Sequence, residues 1–311
     1  MIEPVPDLLD KRLVIVTGKG GVGKSTVALA LGLAAAERGK RTIICEVAAQ
    51  EHLSRVFRRA EVGFHEVEIA ENLWAISIDP DESMREYVLL QLKVRAMRDL
   101  LFKSRIFTYL TAATPGLREL VTIGKIWELA LDDRKVKHGR RYDLVIVDAP
   151  ATGHGVGFLQ TPRTFANVAR VGPIASQAET LHRFITNHER TGVAIVALPE
   201  EMPVNETATL ERDLTEQVGV AVDRIICNGI YPDRFSADDE RVLADALAHA
   251  SGDARQILRA SLSVRRRRTA QGEQLARLEE LTGAPVSPLP FIFRPELDHD
   301  DLLQLGAELV P

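Results

Sequence analysis

The sequence predicts an α/β protein with a doubly wound, mainly parallel β-sheet and an inserted helical subdomain. Short apolar runs rich in β-branched residues alternate with helical patterns along most of the chain, which is typical of a parallel sheet with helices on both faces. A glycine-rich loop joins the first of these runs to an Ala/Leu-rich helix within Leu13–Leu31. Between Asp81 and His138 only helical patterns occur, which indicates an insertion.

Seven apolar runs are predicted to be strands. The first, Leu13–Val16, precedes the glycine-rich loop, and Gly39 ends the helix that follows the loop. The other runs are Arg41–Val47, Leu73–Ile78, Leu144–Val147, Val193–Leu198, Arg224–Cys227 and Val286–Phe291. Open α/β sheets bind ligands at the carboxyl ends of their strands, so we expect the ligand site there.

The predicted helical subdomain lies on the sheet and comprises two stretches, at about residues 81–138 and 162–190. Periodicity alone favours a lid packed on its own core, and an apolar groove for a partner helix is the alternative. The helical patterns are Met84–Leu101, Leu117–Leu131 and Pro162–Arg190, with a break predicted at Thr114–Gly116.

Composition restricts the class of protein. The 311 residues are 45% hydrophobic and 27% charged, which is typical of a globular protein, and residues 1–311 are interpreted as one domain. A net charge of −5 argues against a general nucleic-acid binder. Because no apolar run approaches the roughly 20 residues of a membrane span and no signal peptide is evident, we expect a cytoplasmic protein.

Cys45 and Cys227, the only cysteines, form neither a disulfide framework nor a cysteine zinc site.

The glycine-rich loop fits the phosphate-binding motif G-x4-G-K-[ST] in the required strand–loop–helix context. Glycines let backbone N–H groups surround a phosphate chain, and the helix N-terminus adds a positive dipole. Lys24 is predicted to contact the β- and γ-phosphates of ATP, and Ser25 to bind Mg²⁺. The predicted nucleotide-binding residues are Gly18, Lys19, Gly20, Gly21, Val22, Gly23, Lys24, Ser25 and Thr26.

Lys19 narrows the class of P-loop. The segment Lys19-Gly-Gly-Val-Gly-Lys-Ser25 resembles the deviant P-loop of the MinD, ParA, nitrogenase iron protein and ArsA ATPases. In those proteins the additional lysine reaches the partner's nucleotide across a dimer interface. The resemblance therefore implies a dimer in which Lys19 has a catalytic role. From the residues alone, Lys19 could equally be an exposed loop charge.

The fourth predicted strand ends in Asp148, which suits a Walker B carboxylate that holds a water on Mg²⁺. The segment Ala149-Pro-Ala-Thr-Gly-His154 and the following Phe158–Pro162 resemble the switch II motif D-T-A-P-T-G-H-T-x-R-x-L-x-x-P of the ArsA/guided-entry ATPase family. That family comprises the arsenical-pump ATPase and the factor that targets tail-anchored membrane proteins. The resemblance implies ATP hydrolysis to ADP and phosphate, with ATP and Mg²⁺ as cofactors.

Further segments extend the resemblance along the chain. Asn228 falls where family members use an asparagine amide to read adenine, although a strand-end turn residue is an equal alternative without the family. Pro290 and Phe291 lie in a segment that resembles the loop closing over adenine. Leu198–Thr207 resembles the family's P-E…E-T segment, and Arg265–Leu275 resembles its R-R…Q…L helix, interpreted as a solvated face with an interface role.

Switch I departs from the family pattern. The aspartate that orients the attacking water in hydrolytic members falls on Ala48, and the nearest acids are Glu46 and Glu51. Glu46 shares a strand face with Ala48 at about 6–7 Å, so it is the candidate substitute for the catalytic carboxylate.

Two functions remain open. The first is a dimeric ATPase switch that couples nucleotide state to a helical subdomain binding a client or partner, which could be a protein or membrane-associated. The second is a hydrolysis-deficient, ATP-binding regulatory subunit that pairs with a catalytic paralogue. An arsenite-pump subunit ranks third, because its soft metal needs thiolates that this chain lacks.

Overall fold

The computed structural model describes residues 7–47, 62–91, 114–134, 141–169 and 172–310. Ala48 and Glu51 lie outside these ranges, as does part of the predicted helix Met84–Leu101. Side chains are not described for Leu90, Gln91, Thr152, His154 and Pro173.

Within the described ranges, eight strands form one sheet in the order β3-β4-β2-β5-β1-β6-β7-β8. The strands are β1 Leu13–Gly18, β2 Thr42–Val47, β3 Val67–Ala70, β4 Leu73–Ile78, β5 Leu144–Asp148, β6 Thr191–Ala197, β7 Arg224–Ile230 and β8 Val286–Pro290. All neighbours are parallel except β3 and β4. The predicted fold class is therefore confirmed, and the strand that the sequence did not predict is β3.

The helices of the described ranges alternate with most strands. They are α1 Lys24–Glu37, α2 Pro80–Gln91, α3 Leu117–Leu129, α4 Thr152–Ala169, α5 Pro173–Thr186, α6 Glu201–Asp213, α7 Ala237–His249, α8 Gly252–Leu281 and α9 His299–Leu309. Helix α4 begins well before the predicted start at Pro162, which lies inside the helix. Among these helices, none is both long and apolar enough to cross a bilayer.

Helices cover both faces of the sheet. On one face α1 packs on β1 and β2, while α9 packs on α1 and β8, and their core includes Val14, Leu29, Ile44 and Leu305. Close contact between these helices requires a glycine, because a Cβ at Gly306 would lie 2.6 Å from the Ala30 carbonyl oxygen. On the other face lies a core shared by α3, α4, α5, α6 and α8. Burial on both faces explains why the central strands are continuous apolar runs.

A buried charge network joins the end of α3 to the edge of the sheet. The Arg134 guanidinium lies 2.5 Å from a carboxylate oxygen of Glu66 and 2.5 Å from one of Glu128, and its side chain is 2% exposed. The Tyr142 hydroxyl donates to the other oxygen of Glu66 at 2.6 Å. Burial opposes ionisation of Glu66, but the hydrogen bonds from Arg134 and Tyr142 and the charge of Arg134 lower its pKa overall.

Candidate nucleotide-binding site

The glycine-rich loop occupies the carboxyl end of β1, between the strand and α1. Gly18 has φ +144°, and a Cβ there would lie 2.3 Å from the Val196 carbonyl oxygen on β6. Gly23 has φ +96°, and a Cβ there would lie 2.3 Å from Asn228 Nδ2 on β7. Both positions therefore require glycine, for backbone conformation and for space. The loop is held closely against β6 and β7.

The Lys24 side chain folds over this loop. Residue Lys24 is 8% exposed, and its Nζ donates to the Lys19 carbonyl oxygen at 2.9 Å. Burial lowers the pKa of Lys24, whereas the negative charge of Asp148 acts in the opposite direction. The ammonium thus lies inside the curve of the loop, in surroundings that screen its charge less than water does.

Ser25 and Asp148 meet at the start of α1. The Ser25 Oγ donates to Asp148 Oδ2 at 2.5 Å, and Asp148 is 2% exposed. Asp148 ends β5 and is in register with Val16 on β1, so strand pairing places the carboxylate beside the loop. A hydroxyl and a carboxylate oxygen are the kinds of ligand that Mg²⁺ takes from proteins, so the pair fits this ion.

Glu46 adds a second carboxylate to this edge of the sheet. It lies on β2 in register with Asp148 on β5, and it is 1% exposed. Register partners on neighbouring parallel strands lie about 4.8 Å apart and point to the same face. Glu46 and Asp148 therefore stand side by side on the face covered by α1, which sequence spacing alone could not reveal.

Lys19 projects from the loop to α6. Its Nζ forms an ion pair with Glu206 of the same chain, and the two side chains are 44% and 36% exposed. Glu206 belongs to the segment that resembles the P-E…E-T motif. The sequence did not predict this contact, because 187 positions separate the two residues.

Asn228 and an aromatic cluster lie on the β7 side of the loop. The Asn228 Nδ2 donates to the Val22 carbonyl oxygen at 2.9 Å. The cluster comprises Tyr231, Phe291 and Phe293, with ring centroids 4.8 to 5.1 Å apart. Phe291 is 40% exposed and Phe293 is 50% exposed. No sequence motif points to Tyr231, although it follows a strand end as Phe291 does.

The segment after Asp148 connects this site to α3. Gly155, in α4, packs against Thr17 of β1, and a Cβ there would lie 3.2 Å from the threonine hydroxyl oxygen. Further along α4, Phe165 approaches Gly116 at the N-terminus of α3, where a Cβ would lie 3.0 Å from its ring. Helix α4 therefore contacts both the sheet beside the phosphate loop and α3.

The structure brings most of the predicted site residues to one edge of the sheet. The loop Gly18–Thr26, Asp148, Glu46 and Asn228 lie next to one another through the contacts given above. Pro290 ends β8 immediately before Phe291. Ala48 lies outside the described ranges.

Comparison with known proteins places this chain in a family. The model of the anion-transporting ATPase family matches residues 11–175 and 166–246. ATPase BagA of Mycobacterium tuberculosis is 31% identical over 239 residues, which cover 73% of this chain and 68% of that protein. A putative arsenical pump-driving ATPase of Halobacterium salinarum is 26% identical over 99% of this chain and 46% of its own length. ATPase GET3 of Kluyveromyces lactis is 26% identical over 74% of each chain. The predicted resemblance is confirmed, and the chain belongs to the anion-transporting (ArsA) ATPase family.

Proposed function

We propose that this chain is a dimeric, ATP-hydrolysing molecular switch that couples its nucleotide state to α2, α3 and α5. The observation that carries the proposal is the convergence of Lys24, Ser25 and Asp148 around one glycine loop at the carboxyl ends of β1 and β5. Phosphoryl-transfer sites use such an arrangement to position the phosphate chain and to neutralise its negative charge.

Each group in the loop has a distinct role in this proposal. The backbone N–H groups of the loop bind the phosphate chain, and the Lys24 ammonium exchanges the Lys19 carbonyl for phosphate oxygens. Ser25 and Asp148 would hold Mg²⁺, which would supply charge neutralisation to the phosphate chain. Asn228 reads the adenine base while it supports the loop at Val22, and Pro290 and Phe291 close over the base.

The position of the attacking water is the point at which the two candidate functions separate. Ala48 supplies no carboxylate, whereas Glu46 stands beside Asp148 on the neighbouring strand. We therefore propose slow hydrolysis that depends on Glu46 or on a partner subunit. Ala48 favours the second candidate, a hydrolysis-deficient regulatory subunit that pairs with a catalytic paralogue.

Single-turnover hydrolysis tests this choice. A positioned carboxylate contributes roughly 10²–10⁴ in rate, so Ala48→Asp is expected to accelerate hydrolysis, and Glu46→Gln is expected to abolish the residual rate. Brisk turnover by the wild type that survives Glu46→Gln would show that another group holds the water. If neither the wild type nor Ala48→Asp hydrolyses ATP although both bind it, the result would favour the second candidate, a regulatory subunit.

A dimer follows from the role proposed for Lys19. In the described chain Lys19 is paired with Glu206, so it must leave this partner before it can reach a nucleotide on a second subunit. Sedimentation velocity with Mg²⁺ and a non-hydrolysable ATP analogue is expected to show a dimer, which Lys19→Ala weakens. Glu206→Gln removes the competing charge and is expected to favour the dimer. A monomer at all concentrations with the analogue would contradict this role.

Coupling to the helices is supported by the path of α4. Three glycines, Gly153, Gly155 and Gly157, lie in its first turns, and each costs about 1 kcal/mol relative to alanine in a helix interior. This end of α4 is therefore easily rearranged when a γ-phosphate is present, and Phe165 transmits the change to Gly116.

The proposed client site lies beside α3, the helix that α4 contacts through Phe165. A cavity of about 130 Å³ between α2, α3 and α5 is lined mainly by apolar side chains, which include Met84, Leu120, Trp127 and Leu181. It suits an apolar side chain of a protein client. A metalloid client, which the names of some relatives suggest, needs converging thiolates, whereas Cys45 and Cys227 are buried on strands that are not neighbours.

A further inference from the structure

The strand that carries Asn228 is interrupted immediately after this residue. Pairing between β7 and β8 shifts register between Asn228 and Ile230, and Gly229 adopts φ +81°. An irregularity of this kind takes backbone groups out of the ladder, and a buried N–H or C=O group needs another partner. The groups concerned here are the Gly229 carbonyl and the Tyr231 N–H.

Gln271 of α8 supplies both partners. Its Nε2 donates to the Gly229 carbonyl oxygen at 2.9 Å, and its Oε1 accepts from the Tyr231 N–H at 2.8 Å. The residue is 8% exposed, so these bonds are shielded from water. The Gln271 side-chain amide thus replaces the missing strand partner at this point, because it offers one donor and one acceptor as a peptide group does.

The preceding turn of α8 holds Tyr231 from the other side. The Arg267 guanidinium donates to the Tyr231 hydroxyl at 2.8 Å and lies 5.4 Å from the centroid of its ring. Arg267 and Gln271 are four residues apart, so they lie on the same face of the helix. The Tyr231 ring in turn contacts Phe291 and Phe293.

We propose that Gln271 is a positioning residue for base recognition. By fixing the backbone on both sides of Ile230, its amide sets the direction of the Asn228 side chain and the place of the Tyr231 ring. This inference deepens the proposed function and depends on nucleotide binding at the loop. It assigns to α8 a role in base selectivity, in addition to the interface role expected from its arginines.

The test separates binding of the base from binding of the phosphates. Affinities for ATP, GTP and inorganic tripolyphosphate are measured by calorimetry with Mg²⁺ for the wild type and for Gln271→Met, which keeps the side-chain length and removes both hydrogen bonds. ATP affinity and the ATP-to-GTP affinity ratio are each expected to fall about tenfold, the equivalent of one neutral hydrogen bond. Tripolyphosphate affinity is expected to fall much less than ATP affinity, because the loop N–H groups and Lys24 stay in place and only the support that Asn228 gives the loop at Val22 is disturbed.

Two further variants make the result decisive. Glu273→Ala changes an exposed residue two positions along α8 and is expected to leave all three affinities unchanged. Gln271→Glu keeps the acceptor for Tyr231 but places a carboxylate oxygen against the Gly229 carbonyl, so the ATP-to-GTP ratio is expected to fall here also. If Gln271→Met does not melt cooperatively, the ratio is read from Gln271→Glu.

Several results would overturn the inference. An unchanged ATP-to-GTP ratio in both Gln271 variants would do so, as would a parallel loss of ATP and tripolyphosphate binding, which indicates a general structural role. Failure of both variants to fold would also assign the amide to stability alone. If the wild type binds neither ATP nor tripolyphosphate, the nucleotide site itself is wrong and this inference fails with it.

Discussion

Gly23→Ala is the substitution whose effect follows most directly from the geometry of the loop. At φ +96° an alanine costs about 1–2 kcal/mol in backbone energy. Its Cβ would also lie 2.3 Å from Asn228 Nδ2, so the Asn228 side chain must move. The bond to the Val22 carbonyl oxygen is then lost, which costs about 1 kcal/mol.

We therefore expect Gly23→Ala to reduce the free energy of tripolyphosphate binding by about 2–3 kcal/mol, which is about 30- to 140-fold in affinity. The cost appears in binding because the phosphate must bring the variant loop back to its strained conformation. The assay is calorimetric titration with tripolyphosphate and Mg²⁺, so that no contact with the base enters the measurement. Gly21→Ala is the matched control. Gly21 has φ +82°, but no atom beyond its chain neighbours lies within 4 Å of a Cβ there, so only the backbone cost of about 1–2 kcal/mol applies.

The steric part of the cost has its own test in a double variant. Asn228→Ala removes both the clashing group and its hydrogen bond, so in the Asn228→Ala background Gly23→Ala is expected to cost only the backbone part, about 1–2 kcal/mol of binding free energy, against about 2–3 kcal/mol in the wild type. If Gly23→Ala weakens binding no more than Gly21→Ala, the predicted clash with Asn228 does not contribute. An equal cost of Gly23→Ala in the wild-type and Asn228→Ala backgrounds would contradict the clash as well.

Other predictions concern the rest of the chain. Arsenite is expected not to stimulate ATP turnover, and a saturable activation that disappears in Cys45→Ser would contradict this. Hydrogen exchange in α3 and α5 is expected to differ between ADP and a non-hydrolysable ATP analogue, and identical exchange would exclude the switch. Arg134→Ala leaves Glu66 and Glu128 without their shared cation and is expected to lower the free energy of unfolding, measured with urea, by about 3 kcal/mol. Because the folded-state pKa of Glu66 is lowered, Glu66 contributes to the free energy of unfolding above its unfolded pKa of about 4.3, and this contribution is lost as pH falls through the folded pKa. In Arg134→Ala the loss is expected at higher pH.

The sequence predicts the parts of the fold whose signals are local. The central strands are buried on both faces and read as continuous apolar runs, so their existence and limits could be predicted. Strand β3 has only four residues, Val67–Ala70, and pairs irregularly at the edge of the sheet, so its pattern is too short to detect. Helix α4 was predicted to begin late because its first turns contain glycines and Pro162, which are weak helix formers.

The same distinction applies to the candidate site. The phosphate loop is one contiguous motif, so its residues could be identified with their chemistry. The contacts of Gln271 with the backbone at Gly229 and Tyr231 join positions 40 to 42 residues apart, and the pairing of Lys19 with Glu206 spans 187 positions. No local pattern encodes such contacts. They depend on the packing of α6 and α8 against the sheet.

Binding of Mg·ATP at the loop is the claim on which the account depends, and thermal unfolding with and without Mg·ATP tests it most directly. At 100 times the dissociation constant, a ligand that binds only the folded protein stabilises it by about 2.7 kcal/mol. Lys24→Ala removes the ammonium inside the loop and is expected to abolish this stabilisation, while the melting temperature without ligand stays close to that of the wild type. Lys40→Ala, beyond the other end of α1, is the control and is expected to keep the full stabilisation by Mg·ATP. Stabilisation that survives Lys24→Ala unchanged would contradict the assignment of the site.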